Sequence, residues 1–576
     1  MSVIQLKEAN CKNCYKCIRS CPIKSIAFKD EQAKIIDEDC VLCGNCLSVC
    51  PQNAKSIKSD LDKVKAYIKQ KEKVYVSLAP SFIAAFDQTT TNSLFNSLKQ
   101  LGFSVIEETT LGAVEVSKEY DKLITRNEMK NIISSCCPTV TALIEKYYPE
   151  ILEQLAPVVS PMIVHAKMIK KSHGANTKVV FIGPCISKKT ECNDLQNDGV
   201  VDAVITFEEL SFWMKDEEIE SDTLNINEIT NMSNPAARFY PAPGGIIKTL
   251  SPEKGNSYKC ISIDGLNRCI DTLESIKNGN INHYFIEMNS CIGGCLGGPG
   301  IKSKTRYFLE SNDLLSEYAL KGLENNKNSN PPGIKTDMSL LKKFMNKSKV
   351  SHVPNEETIR GILKKIGKFN EQQELNCGAC GYFTCREKAI AVYNHKADLH
   401  MCLPYMRERA ESISNIIISS TPNAILALNQ ELYIQEFNSA AEKLFGIEAG
   451  LVQGKSIYDI LDCTDFEYVK KSGRNIMDKK VYYEAYGITV MQSILLEQEH
   501  NMIILLIRDI TSEEKQKQNI YKVRSDTVEI AQNVINKQMR VAQEIASLLG
   551  ETTAETKVAL TKLKHSMLED MGEDTK

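Results

Sequence analysis

Three short cysteine motifs lie far apart in the chain: Ser135-Cys136-Cys137-Pro138, Pro184-Cys185-Ile186-Ser187-Lys188, and Cys291-Ile292-Gly293-Gly294-Cys295 with Gly297 and Gly298 just after. Together they supply enough thiolates to hold one metal cluster, a spare thiol beside it, and a lysine. Thiolates select soft metals. A cluster with a free thiol and an ammonium at its edge is equipped to do chemistry. Two further runs have one spacing pattern, Cys11-x2-Cys14-x2-Cys17-x3-Cys21-Pro22 and Cys40-x2-Cys43-x2-Cys46-x3-Cys50-Pro51. Another group reads Cys377-x2-Cys380-x4-Cys385-x16-Cys402, with Gly378 and Gly381 permitting tight turns. Twenty-one cysteines without an export signal argue against a disulfide framework. Cys192, Cys260, Cys269 and Cys463 stand alone and are expected to be small buried apolar residues. The histidines show no metal-ligand spacing; His395 and His400 fall inside a cysteine group but read as solvated or structural.

Folded domains must position these groups, and 576 residues suffice for several. Hydrophobic content of 43% supports sizeable cores. A net charge of −3 implies neither nucleic acid nor a membrane surface as partner. No run reaches the ~18 apolar residues of a membrane helix. The N-terminus lacks a basic segment followed by an apolar one, so a cytoplasmic location is the default expectation. Between about residues 73 and 345, short apolar runs alternate with helical stretches. Residues 74–78, 179–182 and 201–205 read as buried strands, and 208–214 and 273–278 as helices, which predicts an α/β domain.

The doubled eight-cysteine run resembles the bacterial two-cluster ferredoxins. In that pattern the fourth cysteine of each run ligates the other cluster. Cys11, Cys14, Cys17 and Cys50 are therefore assigned to one [4Fe–4S] cluster, and Cys40, Cys43, Cys46 and Cys21 to the second. Zinc knuckles, the competing reading, use pairs of ligands. The three separated motifs, in this order, resemble those of an [FeFe]-hydrogenase catalytic domain, and with the ferredoxin run the resemblance covers about residues 1–345. It implies an H-cluster, a [4Fe–4S] cubane joined through one cysteine to a two-iron unit with CO, cyanide and a dithiolate. By motif position Cys137, Cys185, Cys291 and Cys295 would hold the cubane, and Cys295 would be shared with the two-iron unit. The resemblance makes Cys136 the proton-passing thiol, or else an inert buried one. Lys188 would donate to a cyanide ligand, and Ala79-Pro80-Ser81 would pack on the two-iron unit with Ser81 near a cyanide. Ser160-Pro161 and Gly244-Gly245 also match family positions. Glu191 either matches a motif carboxylate or pairs with lysine.

Departures from the family pattern surround these matches. Gly183 stands before Pro184-Cys185 where catalytic members carry methionine. Asn289 stands two before Cys291 where they carry another, and Met162 replaces a glutamine. Gly297-Gly298-Pro299-Gly300 is shorter than the usual segment. The acidic members of the usual proton path have no clear counterpart; Glu115 and Glu119 are candidates. Ligands kept within altered surroundings predict a slower enzyme, since surrounding groups set potential and reactivity.

The group Cys377, Cys380, Cys385 and Cys402 resembles the small [4Fe–4S] module of corrinoid iron–sulfur and Rnf-type electron-transfer proteins, with zinc as the alternative metal. Residues 412–511 resemble a PAS domain, with a hairpin-like pair around Asn429-Gln430, a short helix ending at Gly446, and closing strands at 481–490, 493–497 and 502–508. No cysteine or histidine there is placed to attach flavin or haem. Beyond Thr511, Ile520, Val523, Thr527, Ile530, Val534, Val541, Ile545 and Leu548 approximate a helical 3–4 spacing. This predicts a dimeric coiled coil or bundle, broken at Gly550 and followed by a second helix through Val558, Leu560, Leu563 and Met567. The tail resembles a kinase dimerisation hairpin, but its first helix has no histidine to accept a phosphoryl group; the alternative is a simple dimerisation helix.

The expected architecture is multidomain α/β: a ferredoxin-like 2[4Fe–4S] domain (1–60), an H-cluster domain (70–345), a 4Fe–4S module (355–410), a PAS domain (412–511) and a helical hairpin or coiled coil (512–576). The expected function is a sensory [FeFe]-hydrogenase that splits H2 slowly and signals redox state through the PAS domain and tail. Expected partners are H2, an electron carrier such as ferredoxin, a downstream kinase or phosphatase, and a second copy of the chain. The alternatives are a ferredoxin-dependent metabolic hydrogenase and a non-catalytic iron–sulfur assembly or scaffold relative; retention of Cys136 and Ser81 argues against the last.

Overall fold

The computed structural model describes residues 2–86, 91–219, 235–251, 258–301, 307–325, 338–349, 352–462, 464–498, 501–549 and 554–569. Two compact units divide it, Met1–Tyr405 and Met406–Lys576. The first unit thus takes in the expected ferredoxin and H-cluster segments and the module as far as Tyr405.

Two parallel sheets build the centre of the first unit. One runs in the order Val105–Glu108, Val74–Leu78, Lys178–Gly183 and Ala203–Thr206. Its middle strands are buried on both faces, which is why they read as continuous apolar runs. The other runs Lys259–Asp264, Tyr284–Asn289 and Ile132–Ile133. Helices cover both sheets, as parallel strands require crossover connections. The helix Phe207–Asp216 starts on a capping box in which Thr206 and Glu209 satisfy each other's end groups. A buried pair, Arg238 Nη2 to Glu108 Oε1 at 2.8 Å, ties the 235–239 turn to the end of a strand.

The N-terminal segment has two short antiparallel pairs, Ile4–Leu6 with Lys55–Ile57 and Ile26–Lys29 with Gln32–Ile35. Its loops use left-handed backbone at Asn13, Tyr15, Leu42 and Gly44. Residues 355–405 fold as a small helical module containing Glu356–Lys365 and Cys385–Tyr393.

The second unit has a five-stranded antiparallel sheet in the order Ile434–Phe437, Ala424–Leu428, Met502–Asp509, Ile488–Glu497 and Ile476–Tyr483. The expected strand at 481–490 is interrupted. The chain turns at Glu484–Gly487, where Gly487 adopts φ +63°, and two strands result. A 39-residue helix, Thr511–Leu549, precedes a second one, Ala554–Glu569. Ile520, Val523, Ile530, Val534, Val541 and Ile545 on the long helix are exposed. Gly550 lies outside the described residues. Among the described residues no helix is long and apolar enough to cross a membrane.

Of the isolated cysteines, Cys192 and Cys269 are buried as expected, but Cys260 is exposed, because it sits on the outer strand of its sheet. Cys463 lies outside the described residues.

Candidate metal centre

All three separated motifs follow the carboxyl ends of parallel strands. Ile132–Ile133 leads into Cys136 and Cys137, Lys178–Gly183 into Cys185, and Tyr284–Asn289 into Cys291. Val74–Leu78 leads likewise into Ala79-Pro80-Ser81. Carboxyl strand ends are where open parallel sheets gather their ligands. Here they close on one cavity of about 110 Å³, lined by Ser81, Cys136, Cys137, Cys185, Lys188, Cys291 and Cys295.

Hydrogen bonds fix the motifs against one another. Ser134 N donates to Ile286 O at 2.9 Å, and Met288 N donates to Ser134 Oγ at 3.1 Å, joining the first motif to the third. Thr139 Oγ1 and Ser187 Oγ, 2.6 Å apart, join the first to the second. Gly300 N donates to Pro184 O at 2.7 Å. Gly294 adopts φ +65°, and a Cβ there would stand 2.3 Å from Pro241 O, so the Gly-Gly pair is required by close backbone approach. Ser290 Oγ lies 3.6 Å from Cys137 Sγ and 3.8 Å from Cys291 Sγ, one hydroxyl serving two thiols.

The electrostatics are those of a crowded, dry thiol cluster. Burial, then the charges of Cys137, Cys185 and Cys295, hold the Cys291 thiol well above its ordinary range. Burial likewise pushes Cys185 up to about 11, with Cys137 adding to it. Such thiols ionise only when a cation compensates them. Lys188 is buried. Its Nζ donates to Glu191 Oε2 at 2.7 Å and to Cys136 O at 3.3 Å. Burial lowers its pKa, but Glu191, Cys185 and Cys136 outweigh that, so the ammonium is retained. Glu191 is thus the lysine's partner.

The residues fit the H-cluster implied by their pattern. Ser81 Oγ is fully buried on the cavity wall and has no protein partner, leaving its hydrogen for a ligand atom. Ser160 Oγ is also buried without a partner. The thiols do not close round any single ion's position among the described residues; a four-iron cubane takes one thiolate per iron.

Glu115 and Glu119, the carboxylates considered for a proton path, lie on the helix Thr110–Arg126. Each pairs at 2.6 Å with a lysine one turn on, Lys118 and Lys122. The group that meets Cys136 is Tyr120, whose hydroxyl lies 3.1 Å from the sulfur. Burial pushes Cys136 up to about 12, while Tyr120 and Lys188 pull it back. Tyr240, also on the cavity wall, bonds to Ser117 Oγ at 2.6 Å. Glu287 is a further buried acid. Burial raises it to about 7, against amide donors from Gly244 at 2.9 Å and Ile246 at 3.0 Å and the side chain of Asn289 at 3.2 Å. Asn289 thus positions a carboxylate and also lines the cavity. No local sequence signal marked Tyr120 or Glu287, since their roles depend on contacts across the fold.

Gly183 also gains an explanation. A Cβ there would stand 2.6 Å from the Phe181 ring and 3.1 Å from Ala79 Cβ. The Phe181 ring fills the space where the family's methionine would start. Met162 is buried and lines the cavity.

In the ferredoxin segment, burial and then neighbouring charges raise Cys17, with Cys14, Cys50 and Cys11 acting on it. Burial raises Cys43 to about 12, with Cys21 and Cys40 acting. Cys17 thus lies within electrostatic reach of Cys11, Cys14 and Cys50, and Cys43 of Cys21 and Cys40. Leu42 N and Ala54 N point at Cys40 Sγ (3.4 Å) and Cys50 Sγ (3.3 Å), the turned amides that a cluster sulfur accepts. In the module, Lys388 is 1% exposed, and burial lowers its pKa against the charges of Cys402, Cys380 and Cys385. Its Nζ donates to Leu399 O at 2.8 Å, which ties the helix Cys385–Tyr393 to the turn before Cys402. His395 has left-handed backbone, and His400 stacks on Tyr405.

Comparison with known proteins follows the same division. Residues 72–299 match the family described as iron only hydrogenase large subunit, C-terminal domain; 3–64 match a 4Fe-4S dicluster domain, 373–404 an Fe-S cluster family, and 415–510 the PAS fold. Iron hydrogenase 1 of Clostridium pasteurianum is 28% identical over 371 residues, which cover 52% of this chain and 64% of that protein. The periplasmic [Fe] hydrogenase large subunit of Nitratidesulfovibrio vulgaris is 25% identical, over 52% of this chain and 86% of its own length. A cytosolic Fe-S cluster assembly factor, NAR1 of Vanderwaltozyma polyspora, is 25% identical over 36% of this chain and 41% of its own.

Proposed function

We propose, from the premise that the chain is a PAS-containing [FeFe]-hydrogenase-like iron–sulfur protein, that it reacts with H2 at low turnover and reports the resulting redox state through its PAS domain and helical tail. The observation that carries the reading is the single cavity where Cys137, Cys185, Cys291 and Cys295 meet Cys136, Lys188 and the unpartnered Ser81 hydroxyl.

When bound, the H-cluster supplies an open iron site, a base and an electron sink for heterolytic cleavage of H2. The chain's residues do the rest. Cys137, Cys185, Cys291 and Cys295 would hold the cubane, and Cys295 would also hold the two-iron unit. Lys188 and Ser81 would donate to bound cyanide. Cys136, in hydrogen-bond contact with Tyr120, would hold and pass a proton at the cavity edge. The apolar wall of Ala79, Pro80, Met162 and Phe181 excludes water. Cys11, Cys14, Cys17 and Cys50 hold one ferredoxin cluster, Cys21, Cys40, Cys43 and Cys46 the second, and Cys377, Cys380, Cys385 and Cys402 a third.

Slow turnover follows from the altered surroundings: Phe181 against Gly183, Asn289 held on Glu287, and a tyrosine where a carboxylate relay is expected. A ferredoxin-type carrier is the proposed electron partner. The exposed apolar stripe of Thr511–Leu549 suits a second copy of the chain, and a kinase or phosphatase is the proposed output. Cluster oxidation level provides the two states a sensor needs. Infrared bands of iron-bound CO and cyanide in matured protein test the cofactor. Their absence after maturation of a protein that carries all its cubane iron would favour a scaffold role. A tail conformation indifferent to H2 would end the signalling half.

A further inference from the structure

The four-cysteine module and the ferredoxin segment share one core. Cys17, Ile18, Cys21 and Cys46 pack with Tyr382, Ala391, Ala397 and Met401. Polar contacts lock the same face. Phe28 N donates to Lys396 O at 2.9 Å, and Lys396 Nζ meets Asp39 Oδ2 at 2.6 Å. Arg19 reaches Ala379 O at 3.1 Å with one nitrogen and Cys14 O at 3.3 Å with another. Gly381 adopts φ +96°, and a Cβ there would stand 2.7 Å from Ile18 Cγ2. The approach is as close as backbone allows.

Lys24 sits in the middle of this contact. Its Nζ donates to Gly381 O at 2.7 Å and to Ile18 O at 3.3 Å, and lies 4.6 Å from the centre of the Phe383 ring. Burial lowers its pKa, and three negative groups oppose this: Cys21 on one side, Glu387 and Cys380 on the other. Its Nζ thus bonds at once to the residue that follows Cys380 and to one that lies between Cys17 and Cys21, placing it between two cysteine sets. The set on the ferredoxin side also borders the cavity cysteines: Cys43 and Cys291 line a common recess, and Gly44 packs on Pro299.

We propose that the module is docked on the ferredoxin domain as the next redox site, and that Lys24 is the positioning residue that couples the Cys21 and Cys380 sites electrostatically. The inference rests on the ligand assignment above and not on reactivity towards H2. A fixed positive charge in a low-dielectric contact stabilises added negative charge on either side. An electron supplied by a reductant, dithionite in vitro or H2 in the proposed function, gains from the same ammonium at both sites, so their potentials move together.

The test uses the full-length, cluster-reconstituted chain under dithionite. Pulsed electron paramagnetic resonance of the wild type should show dipolar coupling between the module's reduced cluster and a ferredoxin cluster. In a potentiometric titration K24Q should lower the midpoints of both the Cys21 and Cys380 sites, and K24R should restore them. G381A should weaken the dipolar coupling. A third cluster present but without coupling in the wild type, or a K24Q shift at neither site or at one only, overturns the proposal. A third cluster absent at full ferredoxin iron content overturns the ligand assignment instead, a distinguishable failure.

Discussion

The cavity cysteines and the module cysteines are positioned by opposite means. Those of the module, like the ferredoxin runs, sit on short loops bent by left-handed residues such as Gly378, Gly381, Tyr15 and Gly44. Most of their geometry is local, set within a few residues of the sulfur, with Cys21, Cys50 and Cys402 joining from farther along the chain. The cavity cysteines come from the ends of strands in two separate sheets, and their geometry is set by sheet packing and by ties such as Thr139 to Ser187. Damage to a local site should stay local. Damage to the cavity should spread through the domain that assembles it.

The largest effect expected is from Cys295→Ser set against Cys402→Ser. C295S should abolish H2 turnover and the CO and cyanide bands, while C402S should remove only the module's iron and leave both. Iron counts and infrared spectra on the pair check this; equal losses would erase the contrast. Next, Lys188→Met leaves Glu191 buried without its cation. Breaking such a pair costs about 3–5 kcal/mol, so the melting temperature of the full chain should drop sharply, where Lys34→Met at the exposed Asp30 pair should leave it near wild type. Gly183→Met sharpens the account of the cavity wall. Overpacking against Phe181 should cost about 1–3 kcal/mol, and Phe181→Ala in the same chain should recover part of it, read from thermal melts of the two variants. The smallest effect belongs to Ser81→Ala. An unsatisfied buried hydroxyl costs about 1–3 kcal/mol, so in cluster-free protein the substitution should be neutral or stabilising by up to about that much, while in loaded protein it should shift a cyanide band. A band that does not move would detach Ser81 from the cofactor.

The sequence disclosed the cysteines well because their spacing is itself the signal. It also disclosed the buried strands at 74–78, 179–182 and 201–205, the last observed at Ala203–Thr206, whose apolar runs reflect burial on both faces. It was silent on Tyr120, Phe181 and Glu287, whose functions exist only through partners distant in the chain. Glu115 and Glu119 each pair with a lysine one turn on, a contact any helix offers a carboxylate and one that spacing alone does not distinguish from a relay. The strand expected at 481–490 failed because apolar and β-prone residues continue through the Glu484–Gly487 turn. Cys260 failed because an edge position overrides a residue's preference for the interior.

The gathering of Cys137, Cys185, Cys291 and Cys295 from distant strand ends has a mechanical consequence. A cubane bound by all four would be a cross-link between two sheets. It would close chain loops of 48 and 106 residues, Cys137 to Cys185 and Cys185 to Cys291, for which a covalent tie is worth about 4–5 kcal/mol each in loop-closure entropy. Iron occupancy and the integrity of the domain would then be one thermodynamic quantity. An oxidant that dissolved the cubane would unfasten the two sheets as well as silence the site, and the chain would register the loss as a change of shape.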